Sequence, residues 1–313
     1  MGLPAGYEFR APGSDDLDAV ADLLVADRVN DAGQIALDAH FVRDAWNRGG
    51  FDLAIDAWVV VDGSGAVVGY GQALREEPNV VESWGVVHPE HRGRGIGAAV
   101  LDRLEERASE LMAEHPVKRF RHAINASDRA AAALLLTRGL RPVRHFWHMQ
   151  IDLPGPVQPG PAPKGIAITG IDASHDLAAV HTVMTEAFAD EWGHQDQSFD
   201  RWVEERTGSP SYDPTLWLLA TARGEPVGAL TAHVWGDRGW VNEIGVVASH
   251  RGRGIGTALL RGSFIALAGR GLGRVLLNVD AANPTGATAL YERVGMRVVD
   301  RWELWERSSG RPT

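Results

Sequence analysis

The heptapeptide His-Arg-Gly-Arg-Gly-Ile-Gly occurs twice in this chain, at residues 91–97 and again at residues 250–256. The two copies start 159 residues apart, which is about half of the 313-residue chain. Other residues repeat with the same spacing, for example Trp58 with Trp217. Chance matches do not share one offset, so the repeat predicts that the chain consists of two homologous halves.

A proline- and glycine-rich segment separates the two halves at residues 152–165. Such a segment has little to bury and is typical of an extended, semi-rigid linker. We therefore predict an N-terminal domain at residues 1–151, the linker at 152–165, a C-terminal domain at 166–307 and a flexible tail at 308–313.

Each half shows the same order of short apolar strands and amphipathic helices. Ser14 and Ser174 are the expected N-caps of the first helix in each half. Two strands joined by a tight turn follow, and a fourth strand enters the repeated heptapeptide. After the next helix, a fifth strand, another helix and a last strand close each half. The pattern predicts two α/β (α+β) domains in tandem.

Composition excludes several classes of function. Acidic residues (41) outnumber basic ones (31), and the resulting net charge of −10 argues against a nucleic-acid-binding protein. The absence of cysteine excludes disulfides, thiolate metal sites and cysteine nucleophiles. The 12 histidines show no metal-ligand spacing with an acidic partner, so we expect no metal.

The sequence also bears on location and assembly. Residues 1–13 show no signal pattern, and no apolar run reaches the length of a membrane span. We expect a cytoplasmic protein with no membrane partner. Because two domains are already paired in one chain, a monomer is sufficient, although the oligomeric state stays open.

The repeated heptapeptide has the features of a phosphate cradle. Each copy follows a Gly-Val-Val run and precedes a helix, so backbone N–H groups and the helix dipole can face an anion. The lysine of a Walker loop is missing from both copies. A dinucleotide fingerprint fits only the first copy, because Thr257 stands at its last position in the second. Both loops also come late in their halves, whereas the dinucleotide loop follows a first strand.

A third kind of loop fits better. The pattern Arg-x-x-Gly-x-Gly after a Gly-Val-Val strand resembles the acetyl-CoA pyrophosphate loop of the GNAT N-acetyltransferase superfamily. Residues 278–296 resemble the family's last motif, with Asn283 before a helix and Tyr291 four residues before Gly295. The strand and helix order is also the family's, and tandem halves with a proline-rich linker resemble the architecture of mycothiol synthase. The resemblance implies two GNAT-like domains, each a mixed, mostly antiparallel twisted sheet flanked by helices.

The resemblance implies acetyl-CoA as cosubstrate and assigns contacts with it to both loops, the strands that enter them and the last motif. In the first half these residues are Val86, Val87, Arg92, Gly93, Arg94, Gly95, Ile96 and Gly97. In the second half they are Val246, Val247, Arg251, Gly252, Arg253, Gly254, Ile255, Gly256, Thr257 and Asn283.

Acetyl transfer from a thioester to an amine requires a base for the amine, a donor for the oxyanion and an acid for the leaving thiolate. By resemblance, Glu243 on the fourth strand is the candidate base and Tyr291 the candidate acid. A backbone N–H around Val246 or Val247 is the expected oxyanion donor. In the first half the corresponding positions hold Trp84 and Leu135. We therefore expect the second half to be catalytic and the first to be degenerate.

Two alternatives remain open in the first half. Glu82 lies two positions from Trp84 and could replace the missing base, whereas nothing replaces the tyrosine. The first loop could also be a relic that binds nothing.

The acceptor of GNAT enzymes lies between the early helices and the fourth strand. Five residues of the second half are expected to line this region: Asp190, Glu191, Trp192, His233 and Trp235. Aromatic walls with carboxylates suit an amine that has some apolar body. The sequence thus predicts an acetyl-CoA-dependent N-acetyltransferase that acts on a primary amine of a small molecule or peptide by direct attack. The alternatives are a non-catalytic CoA-binding or sensing protein and an enzyme for another acyl group.

Overall fold

The computed structural model describes residues 2–28, 39–155, 157–193, 197–283 and 285–309. The chain forms two compact units, Met1–Phe146 together with Asp300–Thr313, and Trp147–Val299. They are called unit 1 and unit 2 below. Residues 310–313 of the predicted tail and Pro156 of the predicted linker lie outside the described part of the chain.

Unit 1 alternates strands and helices. Its elements are β1 (Tyr7–Arg10), α1 (Leu17–Arg28), α2 (Ala39–Trp46), α3 (Leu53–Asp56), β2 (Ala57–Asp62), β3 (Val67–Glu77), β4 (Val80–Val87), α4 (Ile96–Leu111), β5 (Lys118–Asn125), α5 (Arg129–Thr137) and residues 141–146 of β6 (Arg141–Asp152). Strands β1 to β4 pair antiparallel in sequence order, and β5 pairs parallel with β4.

Unit 2 repeats this arrangement. It contains residues 147–152 of β6, then β7 (Ala167–Gly170), α6 (Leu177–Phe188), α7 (Phe199–Thr207), β8 (Leu218–Ala222), β9 (Glu225–Trp235), β10 (Arg238–Val246), α8 (Ile255–Gly269), β11 (Arg274–Asp280), α9 (Ala287–Arg293) and residues 297–299 of β12 (Arg297–Ser309). Strands β7 to β10 pair antiparallel, and β11 pairs parallel with β10. The predicted fold class, with mixed and mostly antiparallel sheets flanked by helices, is confirmed.

The closing strand of each unit comes from the other half of the sequence. Residues 302–309 of β12 pair antiparallel with β5, so the C-terminal end of the chain closes the sheet of unit 1. In unit 2, β6 lies beside β11, and the N–H of Leu153 donates to the carbonyl of Gly273 at 2.7 Å. The sequence analysis expected domains at 1–151 and 166–307 that each end on their own strand. The units differ because periodicity identifies a strand without showing which sheet edge it joins.

Each unit has its own core, formed where a long helix lies on the sheet. The face of α4 that is buried in unit 1 carries Ile96, Val100, Leu101, Leu104 and Ala108. The matching face of α8 in unit 2 carries Ile255, Leu259, Leu260, Ser263, Phe264 and Leu267. Apolar residues at this spacing form one stripe of a helix, as the sequence predicted. Among the described residues, no helix is long and apolar enough to cross a membrane.

The first helices do not begin on the predicted serines. Helix α1 follows a short 3-10 turn whose N-cap is Gly13, and α6 has Asp176 as its N-cap. The hydroxyl of Ser174 instead donates to the carboxylate of Asp172. The predicted capping role of Ser14 and Ser174 is therefore wrong, because acidic residues nearby compete for the same backbone groups.

Candidate functional site

The repeated loop of unit 2 has the backbone of an anion cradle. Gly252 and Gly254 have φ values of +75° and +80°, in the left-handed region that only glycine adopts at little cost. A Cβ added to either residue would meet nothing within 4 Å, so conformation rather than crowding requires glycine. Gly254 is the N-cap of α8, whose first N–H groups have no partner within the helix. The loop therefore leaves open space beside unpaired N–H groups, which suits a phosphate.

Two arginines add positive charge to this loop. Arg251 donates through Nε to the carbonyl of Val246 at 3.1 Å and through Nη2 to the carbonyl of Ala187 at 3.0 Å. Among the described residues, Arg253 makes one long contact of 3.5 Å, with the carbonyl of Lys164. Carbonyls position a guanidinium without neutralising it, and no carboxylate of the described residues pairs with either arginine. Among the described residues, the two positive charges of the unit 2 loop thus have no carboxylate partner.

The identical loop of unit 1 has the same backbone. Gly93 and Gly95 have φ values of +74° and +91°, and Gly95 is the N-cap of α4. Its arginines, however, have different partners. Arg92 forms an ion pair with the carboxylate of Asp27, and Arg94 donates to the hydroxyl of Tyr7 at 2.8 Å. One positive charge of the unit 1 loop is therefore neutralised within the unit.

The remaining residues assigned to the loops are buried, half-buried or without a side chain. Ile96 and Ile255 are buried in the cores, so their side chains are not accessible to a ligand in the loops. A Cβ on Gly256 would lie 2.9 Å from Leu290 Cδ2, so glycine there allows α9 to pack closely on α8. At Gly97 the nearest atom would lie at 3.8 Å, and Thr257 is half-buried in the first turn of α8.

Strand β10 carries a bulge where the candidate base lies. Its register with β9 shifts between Val241 and Glu243, and its parallel pairing with β11 covers only residues 239–241. In unit 1 the irregularity is on β3 instead, and β4 stays paired with β5 through Trp84. Only unit 2 therefore separates its two parallel strands before the position of Glu243.

The hydrogen bonds at the end of β10 differ between Val246 and Val247, the two expected oxyanion donors. The N–H of Val247 donates to the carbonyl of Val227 at 3.1 Å, so it is already used. Successive N–H groups of a strand point to opposite edges, so the N–H of Val246 points to the edge that β11 leaves. The equivalent hydrogen bond is present in unit 1, where the N–H of His88 donates to the carbonyl of Val68 at 2.9 Å. Of the two valines assigned to this strand end, Val86 is buried and Val87 is half-buried.

Glu243 lies opposite Thr231 of β9 and forms an ion pair that the sequence did not predict. The Nη2 atom of Arg206 on α7 lies 2.6 Å from Glu243 Oε1. The two side chains are 35% and 23% exposed, so the pair is partly open to solvent. No motif marks Arg206, because it lies in the variable helical stretch of the half.

Three polar atoms around this pair are buried without a hydrogen-bond partner among the described residues. They are Glu243 Oε2, Arg206 Nε and Thr231 Oγ1. Thr231 is completely buried and occupies the position directly opposite Glu243. Buried polar groups without partners are rare in proteins and are frequent where a ligand or water binds.

Tyr291 lies with Glu191 and Asn283. Its side chain is buried in α9, and burial together with the negative charge of Glu191 raises the pKa of the Tyr291 phenol well above its usual range. The side-chain amide of Asn283 donates to Glu191 Oε1 at 3.1 Å. Glu191, expected among the acceptor residues, is therefore grouped with the candidate acid. The phenol of Tyr291 therefore stays protonated at neutral and moderately alkaline pH, where its O–H is a hydrogen-bond donor.

The other residues expected to bind the acceptor lie on β9 and in the segment that follows α6. His233 is half-buried on β9; burial lowers its pKa, and a side-chain hydrogen bond with Asn242 partly opposes this shift. Trp235 is buried, with its ring 4.7 Å from that of Trp240 in an edge-to-face arrangement. Asp190 is exposed and Trp192 half-buried just after α6.

Side-chain packing occupies the corresponding region of unit 1. Trp84 lies opposite Gln72 on the ladder, and its ring packs 5.1 Å from Tyr70 and 5.6 Å from Phe41. The indole of Trp46 donates to the hydroxyl of Tyr70 at 2.8 Å. An aromatic cluster thus stands where unit 2 has a carboxylate.

Glu82 and Leu135, the other two residues of unit 1 compared with the catalytic candidates of unit 2, contact other parts of unit 1. Glu82, considered as a replacement base, lies 3.1 Å from Arg121, which also contacts Glu306 at 2.9 Å. Leu135, which takes the place of Tyr291, is part of the hydrophobic core. Within the described residues there is no cluster of three or more side chains that could hold a metal ion.

Two family models match the chain. The Acetyltransferase (GNAT) family matches residues 177–296, and the Acetyltransferase (GNAT) domain matches residues 54–136. The first match lies in unit 2 and the second in unit 1.

Relatives and solved structures are similar over most of the chain. The mycothiol acetyltransferase of Salinispora arenicola is 33% identical over 230 residues, covering 69% of this chain and 68% of that protein. The mycothiol acetyltransferase of Parafrankia sp. is 31% identical over 312 residues, covering 90% and 92%. A GCN5-related N-acetyltransferase from Sphaerobacter thermophilus has a TM-score of 0.87 at 33% identity, covering 99% of each chain.

Proposed function

The chain belongs to the GNAT acetyltransferase family, and from that premise we propose that unit 2 transfers an acetyl group from acetyl-CoA to a primary amine of a small molecule or peptide. One observation carries this proposal. Glu243 lies on a bulged strand that parts from its parallel neighbour and leads into a loop whose two arginines have no carboxylate partner among the described residues. The name of the mycothiol acetyltransferase relatives supports a small-molecule acceptor.

The loop of unit 2 fits the pyrophosphate of acetyl-CoA. Open space at Gly252 and Gly254, N–H groups at the start of α8 and the charges of Arg251 and Arg253 all favour a diphosphate. The cosubstrate supplies the activated acetyl group. Where β10 leaves β11, the N–H of Val246 points to the edge without a paired strand, and it would stabilise the negative charge that develops on a carbonyl bound there.

Two side chains move protons in this proposal. Glu243 accepts the proton that the acceptor ammonium loses, which makes the amine nucleophilic. Tyr291 is protonated at neutral pH because its pKa is raised, so its O–H can hydrogen-bond to the departing thiolate and supply the proton that the thiolate takes up. The amine nitrogen forms the new bond to carbon while the carbon–sulfur bond breaks, so no covalent enzyme adduct is required.

Unit 1 is proposed to be catalytically degenerate. Trp84 and Leu135 replace the two proton-transfer groups, and an aromatic cluster occupies the acceptor region. Its loop keeps the cradle backbone, but the Asp27 carboxylate neutralises Arg92. These features favour a structural role for unit 1.

A screen of amines with acetyl-CoA, read by mass spectrometry, tests the proposal. The panel contains amino sugars, aminoglycosides, amino acids and peptides. We expect one class to gain an acetyl group, and Glu243→Gln to lower kcat/KM for it by about a hundredfold or more, the scale of a lost general base. Glu82→Gln in unit 1 is the matched control and leaves the rate unchanged. Binding of acetyl-CoA without transfer to any amine would instead indicate a non-catalytic CoA-binding protein.

A further inference from the structure

The ion pair between Arg206 and Glu243 uses only half of the available hydrogen-bonding capacity. A guanidinium and a carboxylate can form two parallel hydrogen bonds, which is the strongest arrangement for such a pair. Here one short contact of 2.6 Å joins Arg206 Nη2 to Glu243 Oε1. The second donor, Nε, and the second acceptor, Oε2, are both buried without a partner among the described residues. The pair therefore leaves one buried donor and one buried acceptor that a ligand could use.

The three partnerless atoms have complementary requirements. Glu243 Oε2 can only accept a hydrogen bond, Arg206 Nε can only donate one, and Thr231 Oγ1 can do either. A buried polar atom without a partner costs stability, so a ligand that satisfies all three atoms is favoured over one that satisfies fewer. Such a ligand needs a donor group for Glu243 and Thr231 and an acceptor group for Arg206.

A simple amine meets only part of this requirement. Its ammonium can donate to Glu243 and Thr231, but it then lies close to the positive charge of Arg206, which repels it. It also displaces Arg206 from Glu243, so the partly buried guanidinium loses its hydrogen-bonded carboxylate and keeps only the charge of Glu205, with which it forms no direct ion pair among the described residues. Leaving one member of such a pair unpaired is costly.

We propose that the acceptor is zwitterionic, with a carboxylate beside the amine that receives the acetyl group, as in an α-amino acid. The ammonium exchanges for Arg206 on Glu243, and the carboxylate takes up the released guanidinium. Arg206 is then the residue that determines specificity for the acid group. This inference rests on the function proposed for unit 2 and specifies its acceptor.

The test compares α-amino acids of several side-chain classes with their own carboxamides, which keep the amine and lose the charge. With wild-type protein and acetyl-CoA, kcat/KM for the accepted amino acid should exceed that of its carboxamide by about tenfold to a hundredfold, the scale of a charge-assisted hydrogen bond. Arg206→Met should bring this ratio close to one, mainly through KM. Arg206→Lys keeps the charge but lacks the second donor, so it should restore part of the preference.

The matched control changes another arginine of the same helix. Arg201 is 68% exposed and pairs with Glu205 at 2.9 Å on the surface of α7. Arg201→Met should leave the preference for the carboxylate unchanged. A second readout needs no catalysis: the amino acid should raise the melting temperature of wild-type protein more than its carboxamide does, and this difference should vanish in Arg206→Met.

The outcomes separate the inference from the function on which it rests. Equal use of acid and amide, or a preference that survives in Arg206→Met, overturns the inference. Acetylation of other amines with no α-amino acid accepted also overturns it, while the acetyltransferase function stands. If no amine of any class is acetylated, the proposed function itself fails.

Discussion

His122 of unit 1 is expected to make the stability of the protein fall at mildly acidic pH. It is buried on β5, and its Nδ1 lies 2.8 Å from the hydroxyl of Ser83, which donates to the carbonyl of Arg121 at 2.9 Å. Burial lowers the pKa of His122 to about 4 from an ordinary value of 6.5. The folded protein therefore holds this imidazole neutral at pH values where the unfolded chain protonates it.

The sign and size of the effect follow from this difference. Well above pH 6.5 the imidazole is neutral in both states, and His122 adds no pH dependence. Between pH 6.5 and about 4 only the unfolded chain takes up the proton, so the free energy of unfolding falls as the pH falls. Each pH unit corresponds to about 1.4 kcal/mol, which gives a total loss of about 3 kcal/mol. Below the folded pKa both states are protonated and the contribution stays constant.

Urea unfolding at a series of pH values measures this effect. His122→Gln keeps a hydrogen-bonding side chain beside Ser83 but cannot titrate, so between pH 7 and pH 4 it should lose about 3 kcal/mol less stability than wild type. His175→Gln, at a position where the side chain is 77% exposed, is the matched control and should follow wild type. Parallel pH profiles for wild type and His122→Gln, or an NMR titration of His122 near 6.5, would refute the reasoning.

Two further predictions concern unit 2. Tyr291→Phe should lower kcat by about tenfold or more with little change in acetyl-CoA affinity, because only the acid is lost. Steady-state kinetics measures kcat, and calorimetry measures the affinity. Unchanged turnover would show that Tyr291 is not the acid. Arg251→Ala should weaken acetyl-CoA binding by about tenfold in calorimetry, whereas Arg92→Ala should change it little, since Asp27 already neutralises Arg92. Equal losses from the two alanine variants would show that the loops contribute equally.

Much of the fold could be predicted because the two halves of a duplicated sequence are expected to share one order of strands and helices. The order of strands and helices in each half is the predicted one, and the buried face of α4 follows from its apolar spacing. The offset of 159 also aligns the ladders: Trp84 lies opposite Gln72 and Glu243 opposite Thr231. The position of a residue along its strand depends on the nearby sequence, and a repeated sequence gives two independent indications of it.

The features that could not be predicted depend on contacts distant in sequence. The bulge lies on β10 in unit 2 but on β3 in unit 1, although the sequences enter the same loop. Arg206 comes from a helix with no counterpart in any motif, 37 residues before the carboxylate that it contacts. Arg92 and Arg251 contact the equivalent first helices of their units, but Arg92 meets the carboxylate of Asp27 whereas Arg251 meets only the backbone carbonyl of Ala187. Identical loops therefore do not imply identical electrostatics.

The closing strands have a consequence for the order in which this chain can fold. A ribosome releases residues 1–146 long before residues 300–309, so the emerging unit 1 has an unpaired edge on β5 until synthesis is nearly complete. Unit 2, by contrast, receives its closing strand, β6, before any of its other strands. The half proposed to be catalytic is therefore the first to have all its strands available, and the degenerate half is completed last.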